Sequence, residues 1–266
     1  MSSDSNGVEV THPSFPQPEN RDAKIWRYMD LSKFASMLLA GALFFPRATK
    51  LGDPFEGSNS KMVEAWRNSV RANRSATPEE DFFGGLSLQQ VNEMFESEQR
   101  FLKESVPTFF VNCWHQNEYE SAAMWKLYAK SDEAVCVQST YRKLLRVLPK
   151  CVDTGLVTYR DYDQDGIDPG NVFNFIMSKR KSFEHEKEIR AVAWEKLSGE
   201  LGGDEIRGAM NEFGLSIQVD MLELVENVFV SPTSPAWFKE VVQGLSRKLG
   251  LKLNVQQSKI SEVPIF

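Results

Sequence analysis

The strongest hydrophobic pattern in this chain lies between residues 109 and 140. Over 109–114, the side chains at odd positions (Phe, Val, Cys) alternate with those at even positions (Phe, Asn, Trp). This period of two residues is typical of a strand with two distinct faces. A polar turn follows, where Asn117 and Glu120 match the spacing of a capping box and predict the start of a helix. The largely apolar run 134–138 predicts a second, buried strand. The segment is therefore predicted to form a strand, a helix and a strand.

The same two periodicities predict further elements in the rest of the chain. Short strands are predicted at 25–29, 42–45, 156–159, 186–194, 216–219, 225–230 and 251–255. Helices are predicted at 34–40, 61–72, 87–105, 141–148, 173–181 and 235–249. Strands outnumber long helices and do not alternate with them strictly. We therefore expect an α+β fold, with a mixed, curved sheet flanked by helices.

Composition changes along the chain and indicates how the domain is bounded. Residues 1–22 are polar and rich in proline, so they are predicted to form a flexible tail that buries too little apolar surface to become ordered. The remainder, 23–266, is predicted to be a single α+β domain. Within it, the amphipathic stretches at about 60–106 predict a helical insertion.

The overall charge and the cysteines narrow the classes of function. The formal net charge of −6 argues against bulk binding to nucleic acids or anionic membranes, which needs a cationic surface. The three cysteines form no CxxC pair, so neither a disulfide framework nor a structural zinc site is predicted. No apolar run reaches the length of a membrane span and no signal-peptide pattern occurs. The expectation is a cytoplasmic bacterial protein.

Charged residues late in the chain are the first candidates for chemistry. On the predicted strand, Glu186, Glu188 and Arg190 share one face. Two carboxylates at that spacing repel each other unless a cation or a ligand lies between them, and Arg190, Lys179 or Lys181 can supply the cation. The alternative is an exposed strand edge whose charges face solvent.

Aromatic side chains and one histidine are the second group of candidates. Trp114, Trp125 and Tyr128 can stack on a planar ring such as adenine or nicotinamide, and the alternative is ordinary core packing. Cys113 and His115 share a strand face, but an inert cysteine and a hydrogen-bonding His115 are the expectation because no third orienting group is evident. The chain has no P-loop, GxGxxG, GxSxG or HExxH motif.

Several short motifs are spread over most of the chain. They are Trp26-Arg27-Tyr28, Asp53-Pro54-Phe55-Glu56, Cys113-Trp114, Met124-Trp125-x-x-Tyr128-Ala129, and Lys179 with Phe183, Glu186, Glu188 and Arg190. As a set, they resemble a bacterial family that is known as domain of unknown function 2971. The chain departs from that family at Gly52, His115 and Phe183, where Asn, Ser and Trp are usual. These departures weaken any role that rests on the Asn amide or the Ser hydroxyl.

The order of the motifs is similar to the layout of ADP-ribosyltransferases, with an early strand bearing Arg or His and a late strand bearing Glu-x-Glu. The resemblance implies an enzyme that consumes NAD as its substrate, without a metal, as a toxin or a phage-defence effector. It implies that Arg27 holds the pyrophosphate and that Glu188 stabilises the positive charge on the ribose as nicotinamide leaves. Glu186 would orient the acceptor or act as a base. The implied cofactor-binding set also contains Tyr28, Asp53, Glu56, Trp114, His115, Ser121, Trp125, Tyr128, Lys179 and Arg190.

Two other functions use the same residues. A non-catalytic sensor would bind a nucleotide-like small molecule or a protein partner in this cluster without chemistry. A metal-dependent nuclease would place Asp53, Glu56 and Glu186 on a divalent cation. The nuclease is disfavoured because no lysine follows Asp53 at the spacing that common nucleases of this kind show, and because the chain is acidic.

Overall fold

The computed structural model describes residues 12–76, 85–195 and 208–262 of the chain. In these residues the helices are α1 (Leu31–Ala40), α2 (Lys61–Ala76), α3 (Leu88–Ser105), α4 (Ala122–Tyr128), α5 (Tyr141–Val147), α6 (Phe173–Ile176), α7 (Met221–Leu224) and α8 (Ala236–Lys248). The strands are β1 (Lys24–Asp30), β2 (Ala42–Pro46), β3 (Phe109–Gln116), β4 (Ala134–Thr140), β5 (Asp153–Leu156), β6 (Thr158–Arg160), β7 (Ser178–Arg180), β8 (Glu188–Trp194), β9 (Gly208–Met210), β10 (Gly214–Gln218), β11 (Asn227–Val230) and β12 (Val255–Gln257). Short 3-10 helices span Ala48–Lys50, Val106–Thr108, Lys181–Glu186 and Lys259–Ser261.

Seven strands form the main sheet in the order β12-β11-β4-β1-β3-β8-β5. All neighbours are antiparallel except β11 and β12, which run parallel. A three-stranded sheet, β2-β10-β9, and a parallel pair, β6-β7, complete the sheets of the described residues. The mixed sheet with its flanking helices confirms the predicted α+β fold.

The main sheet is covered on both faces. On one face lies the larger core, where side chains such as Val137 and Ala191 belong to the same cluster as residues of α1, α5, α8, β2 and β10. The other face is divided between smaller cores, one around Phe109 and Phe173 and another around Trp26 and Trp125. A strand that is buried on both faces reads as a continuous apolar run, as β4 does.

Local sequence signals set the ends of the longer helices. The Asp30 side chain accepts a hydrogen bond from the backbone N–H of Lys33 at the start of α1, and Gly41 ends that helix with φ +57°. Ser87 and Gln90 form a complete capping box at α3. α2 and α3 lie where the helical insertion is predicted. Within the described ranges, no helix combines the length and the apolar character that crossing a membrane requires.

The pairing of β1 opens a gap in the main sheet. β1 pairs with β4 over the whole of Lys24–Asp30. It pairs with β3 only at Ile25 and Trp26. Beyond Trp26 the two strands, both fully described, are no longer hydrogen-bonded to each other. The sheet therefore has an opening between β1 and β3 in its middle.

The start of α4 differs from the prediction. The Ser121 side chain accepts a hydrogen bond from the backbone N–H of Met124, so Ser121 is the N-cap. Asn117, the predicted cap, instead lies just beyond β3, where its carbonyl oxygen accepts a hydrogen bond from the indole of Trp26. Both residue types favour caps, and the tertiary contact with Trp26 decides between them.

Two late elements also differ from the prediction. The helix predicted at 173–181 ends at Ile176, because 178–180 pairs with β6 as a strand. The strand predicted at 186–194 begins only at Glu188, because Lys187 adopts the left-handed conformation with φ +40°. Glu186 therefore ends a 3-10 helix and does not share a strand face with Glu188.

Residues 12–22 are packed against the domain, although the whole of 1–22 is predicted to be a flexible tail. Phe15 is 2% exposed and its ring lies 5.2 Å from that of Phe173. The Gln17 amide donates a hydrogen bond to the carbonyl oxygen of Thr154 and accepts one from the Tyr141 hydroxyl. The prediction is wrong for 12–22, because one buried aromatic ring and paired polar groups order a segment of polar composition. Residues 1–11 lie outside the described ranges.

Candidate ligand-binding cavity

A cavity of about 800 Å³ lies at the gap between β1 and β3. This volume is in the range of small-molecule sites. Because side chains alternate along a strand, Arg27 and Trp114 reach it from one face of the sheet, and His115 and Glu188 from the other. The predicted site residues that border it are Arg27, Tyr28, Asp53, Glu56, Trp114, His115, Tyr128, Lys179, Glu186, Glu188 and Arg190.

Two predicted site residues do not border the cavity. Trp125 is 3% exposed and packs edge-to-face on Tyr28, with ring centroids 5.0 Å apart. Its indole N–H donates a hydrogen bond to Glu120. Ser121 is used as the cap of α4. Helical spacing places Ser121, Trp125 and Tyr128 on one side of α4. It does not show whether this side of the helix contacts a ligand or the core. In the structure, Trp125 belongs to the core.

Lys179 is the centre of a buried cluster of charges. Its Nζ lies 2.7 Å from Glu186 and 3.0 Å from Glu188. Glu56 is the third carboxylate, 3.4 Å away. Two of its three N–H groups donate hydrogen bonds to Glu186 and Glu188, and the third carboxylate adds an ion pair, so the protein's own acids engage Lys179. Its predicted cofactor-binding role is therefore indirect, because Lys179 holds in place the carboxylates that border the cavity.

Arg190 is the second cation of this cluster and is completely buried. Its guanidinium donates to Glu188 at 2.8 Å, to Glu56, and to the backbone carbonyl oxygen of Ile176. A planar guanidinium holds a carboxylate in one fixed orientation. Arg190 therefore orients Glu188, and its guanidinium is bound to groups of the protein itself.

The ionisation of the cluster follows from these pairs. Burial by itself would raise the pKa of Glu188, but the charges of Arg190 and Lys179 outweigh burial and lower that pKa to about 2. Burial would lower the pKa of Lys179, but the surrounding carboxylates raise it. Burial raises the pKa of the Cys113 thiol well above its ordinary value. At neutral pH Glu188 is ionised and Cys113 is a neutral thiol, which argues against a thiolate nucleophile.

A second ion pair anchors the turn that contains Asp53. The carboxylate of Asp53 accepts two hydrogen bonds from Arg180, at 2.9 and 2.8 Å, and its side chain is 1% exposed. The guanidinium of Arg180 lies over the rings of Phe55 and Phe183, 4.4 and 5.3 Å from their centroids. This arrangement holds the turn against the cavity, and the sequence pattern does not predict Arg180 as the partner.

His115 connects the central strand to the acidic cluster. Its Nδ1 lies within hydrogen-bond distance of the backbone carbonyl oxygen of Glu186, so Nδ1 carries the proton and donates. Nε2 is then an acceptor, and this buried atom has no partner among the described residues. Burial lowers the pKa of His115, which keeps the ring neutral at pH 7. The protein thus leaves one hydrogen-bond acceptor of this residue unsatisfied.

Arg27 borders the cavity from the opposite face of the sheet. Its guanidinium has no carboxylate partner in the described part of the chain; it donates one 3.3 Å hydrogen bond to the carbonyl oxygen of Phe44 and lies 6.0 Å from the ring centroid of Trp114. Burial lowers the pKa of Arg27 to about 10, so the group stays charged at neutral pH. An unpaired guanidinium beside an open cavity is suited to binding an anion.

The wall that α1 and β2 contribute to the cavity is not predicted from the sequence. Its residues include Lys33, Ser36, Met37, Phe44 and the nearby Lys50. These side-chain types are common on any helix or strand. The one indication in the sequence is that α1 and β2 directly follow the strand that carries Arg27, so they are expected to lie near it.

The carboxylates are not arranged around a common metal position. Asp53 is bound by Arg180 and Glu186 by Lys179. Across the described ranges, no three His, Cys, Asp or Glu side chains are grouped so that they could hold a metal ion. The geometry therefore gives the metal-dependent nuclease no support.

Comparison with known proteins does not identify a family. Neither a scan against protein-family models nor a search of curated proteins finds a match for this chain. The resemblance to domain of unknown function 2971 and to ADP-ribosyltransferases stays a prediction, and function has to be argued from the geometry of the cavity.

Proposed function

We propose that this protein is an enzyme of the ADP-ribosyltransferase type that consumes NAD in the cavity between β1 and β3. The observation that carries the proposal is that Arg27, Tyr128 and Glu188, far apart in the sequence, border one cavity. They supply a cation for the pyrophosphate, an aromatic face for a ring, and an anion beside the bond that breaks. The proposal includes membership of the family known as domain of unknown function 2971.

Glu188 is suited to electrostatic stabilisation. Its pKa of about 2 keeps the carboxylate ionised at neutral pH, and Arg190 and Lys179 hold it rigidly. Positive charge develops on the ribose as its bond to nicotinamide breaks, and a fixed carboxylate nearby lowers the energy of that state. A carboxylate with so low a pKa is a weak base, so Glu188 takes no proton in this scheme.

Glu186 is the group that positions the acceptor. Its Oε2 accepts a hydrogen bond from Lys179, whereas Oε1 has no partner among the described residues. Because Glu186 borders the cavity, Oε1 can accept a hydrogen bond from an attacking water or hydroxyl group. Attack by water converts NAD and water into ADP-ribose, nicotinamide and a proton. Attack by another acceptor joins ADP-ribose to that acceptor instead.

Incubation of the full chain with NAD labelled in its adenylate half tests the proposal. We expect release of nicotinamide, with the label recovered in ADP-ribose or on an acceptor from a cell extract. Glu188→Gln should lower the rate at least about 100-fold, the typical cost of losing one charge-stabilising group. Glu184→Gln changes an exposed neighbour and should behave like the unaltered protein. Folded protein that releases no nicotinamide with any acceptor would contradict the proposal.

A non-catalytic sensor is the second candidate, and one observation favours it. Four carboxylates border the cavity, and each of them is paired with Lys179, Arg180 or Arg190. Such an arrangement also suits a rigid support for a binding site. A sensor would bind NAD or a related nucleotide without turnover. Calorimetric titration alongside the turnover assay separates the two functions.

A further inference from the structure

We propose that the protein forms a symmetric dimer through one face of the α2–α3 pair, with a second copy of the chain as the partner on this face. The inference does not rest on the proposed NAD chemistry, because the residues that border the cavity lie outside α2 and α3. It rests on four large apolar side chains that are 40–47% exposed. These side chains, which we call the apolar strip, are Met62, Trp66, Met94 and Phe101.

The two helices of the pair run antiparallel. The Gln99 amide donates a hydrogen bond to Glu64, 3.3 Å away, and the Arg71 guanidinium donates one to Asn92, 3.0 Å away. As the residue number rises along α2, the number of its partner on α3 falls. In an antiparallel pair, residues that are rotated in the same sense from the line of contact lie on the same face.

The apolar strip lies on one face of this pair. The buried Arg67 and Phe95 mark the line of contact, since the guanidinium of Arg67 lies 5.4 Å from the ring centroid of Phe95. Trp66 and Met94 directly precede these two residues, so each is rotated from the line by about 100° in the same sense. The other two members of the strip lie at helical spacings of four and seven residues from them. All four side chains therefore face the same way.

The composition of this face is that of an interface core. Methionine and aromatic side chains are enriched at the centres of protein interfaces, and charged side chains are depleted there. Asn73, Gln90 and Ser97, which are exposed on the same face, are uncharged. Each chain has a formal net charge of −6, and a neutral face lets two copies meet without placing like charges in contact.

The exposed apolar area matches what a small dimer interface needs. At about 200–250 Å² for a whole side chain of this size, the strip exposes about 350 Å². Stable interfaces begin at about 600 Å² for each partner, and about 57% of that area is apolar. The strip therefore supplies the apolar share of one partner, and the neutral polar side chains around it supply the rest.

A second copy is the partner that fits this face with no other surface required. A two-fold axis places the strip of one chain on the strip of the other, so each chain provides both halves of the contact. Two helix pairs that pack face to face enclose one apolar core between four helices, which is a stable way to bury an exposed apolar face. Such a contact is closed at two copies.

Sedimentation equilibrium of the full chain between about 1 and 100 µM tests the dimer. We expect twice the mass of one chain at the upper concentrations. Phe101→Asp should weaken the dimer at least about 100-fold and give a monomer at 100 µM, because it places a carboxylate from each copy in the apolar contact. Met94→Asp should do the same, and it replaces Phe101→Asp if that variant does not fold.

Phe213→Asp is the matched control, because this phenylalanine is 57% exposed in the turn between β9 and β10. It should leave the dimer as stable as in the unaltered chain. An unaltered chain that stays monomeric at 100 µM would overturn the inference and leave the strip to another kind of partner. A dimer that survives both strip variants, or one that Phe213→Asp weakens as much, would overturn the assignment to α2 and α3.

Salt dependence separates an apolar contact from an electrostatic one. The dimer should persist when the ionic strength is raised from about 0.05 to about 0.5 M, because salt screens charges and does not weaken apolar burial. Dissociation in salt would contradict a contact through the apolar strip. Assemblies larger than two copies would contradict the two-fold arrangement.

Discussion

At the scale of single residues, substitution of Lys179 is expected to affect stability most, because three carboxylates lie around its ammonium group. Lys179→Met keeps the length of the side chain, leaves Glu56 and Glu188 with Arg190 alone, and leaves Glu186 without a cationic partner among the described residues. Loss of one partner from a buried ion pair costs about 3–5 kcal/mol. We expect the free energy of unfolding at pH 7 to fall by about this amount, measured by chemical denaturation.

The exposed Lys181 offers a matched control for this variant. Lys181→Met should change the free energy of unfolding by less than about 0.5 kcal/mol. The loss in Lys179→Met should shrink as the pH falls from about 4.5 towards 2, because protonation of Glu188 removes a negative charge that the ammonium group stabilises. A loss that is independent of pH would assign the role of Lys179 to packing instead of charge.

The low pKa of Glu188 predicts how stability depends on pH. The folded-state pKa of about 2 lies below the ordinary value of 4.5, so the stabilisation is fully present above about pH 4.5 and is lost as the pH falls towards 2. The shift limits this contribution to about 3 kcal/mol. Denaturation curves between pH 6 and 2 should show the loss in the unaltered chain and a smaller one in Glu188→Gln. Equal losses would contradict the assignment to Glu188.

The residue types of the candidate site can be read from the sequence, but their roles cannot. The spacing of Glu186 and Glu188 predicts a shared strand face, yet a left-handed Lys187 separates them. The two carboxylates meet all the same, because Lys179 reaches both. The partner of a charged side chain comes from a distant part of the chain, so spacing alone does not reveal it.

At the scale of elements, the packing of residues 12–22 depends on a close approach to β5. A Cβ on Gly155 would lie 2.8 Å from backbone atoms of Phe15, which is too close without a shift. Gly155→Ala should therefore displace this segment, lower the free energy of unfolding by about 1–3 kcal/mol and speed proteolysis within 12–22. Limited proteolysis and chemical denaturation measure both effects.

Gly244 in α8 serves as the control for this substitution, because a Cβ there meets no atom within 4 Å. Gly244→Ala should leave proteolysis within 12–22 unchanged and should not lower the free energy of unfolding, since alanine favours a helix. If Gly155→Ala behaved in the same way, the close packing of Phe15 on β5 would not matter for stability.

Elements with a long, regular pattern are predictable, and short ones that depend on a partner are not. α3 has a clear amphipathic pattern and a capping box, and β4 has a continuous apolar run. β7 has only three residues and exists because β6 lies beside it. The hydrogen bonds of β7 go to a strand that is distant in the sequence. The local sequence pattern does not contain this information, and it therefore predicts that the preceding helix continues through 178–180.

At the scale of the whole molecule, the candidate function depends on the gap between β1 and β3. A fully paired sheet would separate Arg27 from Glu188, because they reach the cavity from opposite faces. The limited pairing of β1 with β3 joins the two faces through one cavity. The proposed enzyme requires this opening.

The sequence by itself determined the α+β class, most of the longer elements, and eleven side chains that border the cavity. The class and the elements follow from periodicity and capping, which act over a few neighbouring residues, whereas the eleven side chains come from residue chemistry and from the family resemblance. Only the tertiary structure decided that Trp125 is core, that Lys179 and Arg190 support the carboxylates, and that residues 12–22 are packed. Each of these depends on contacts between distant segments, and their geometry is set by how the whole chain packs.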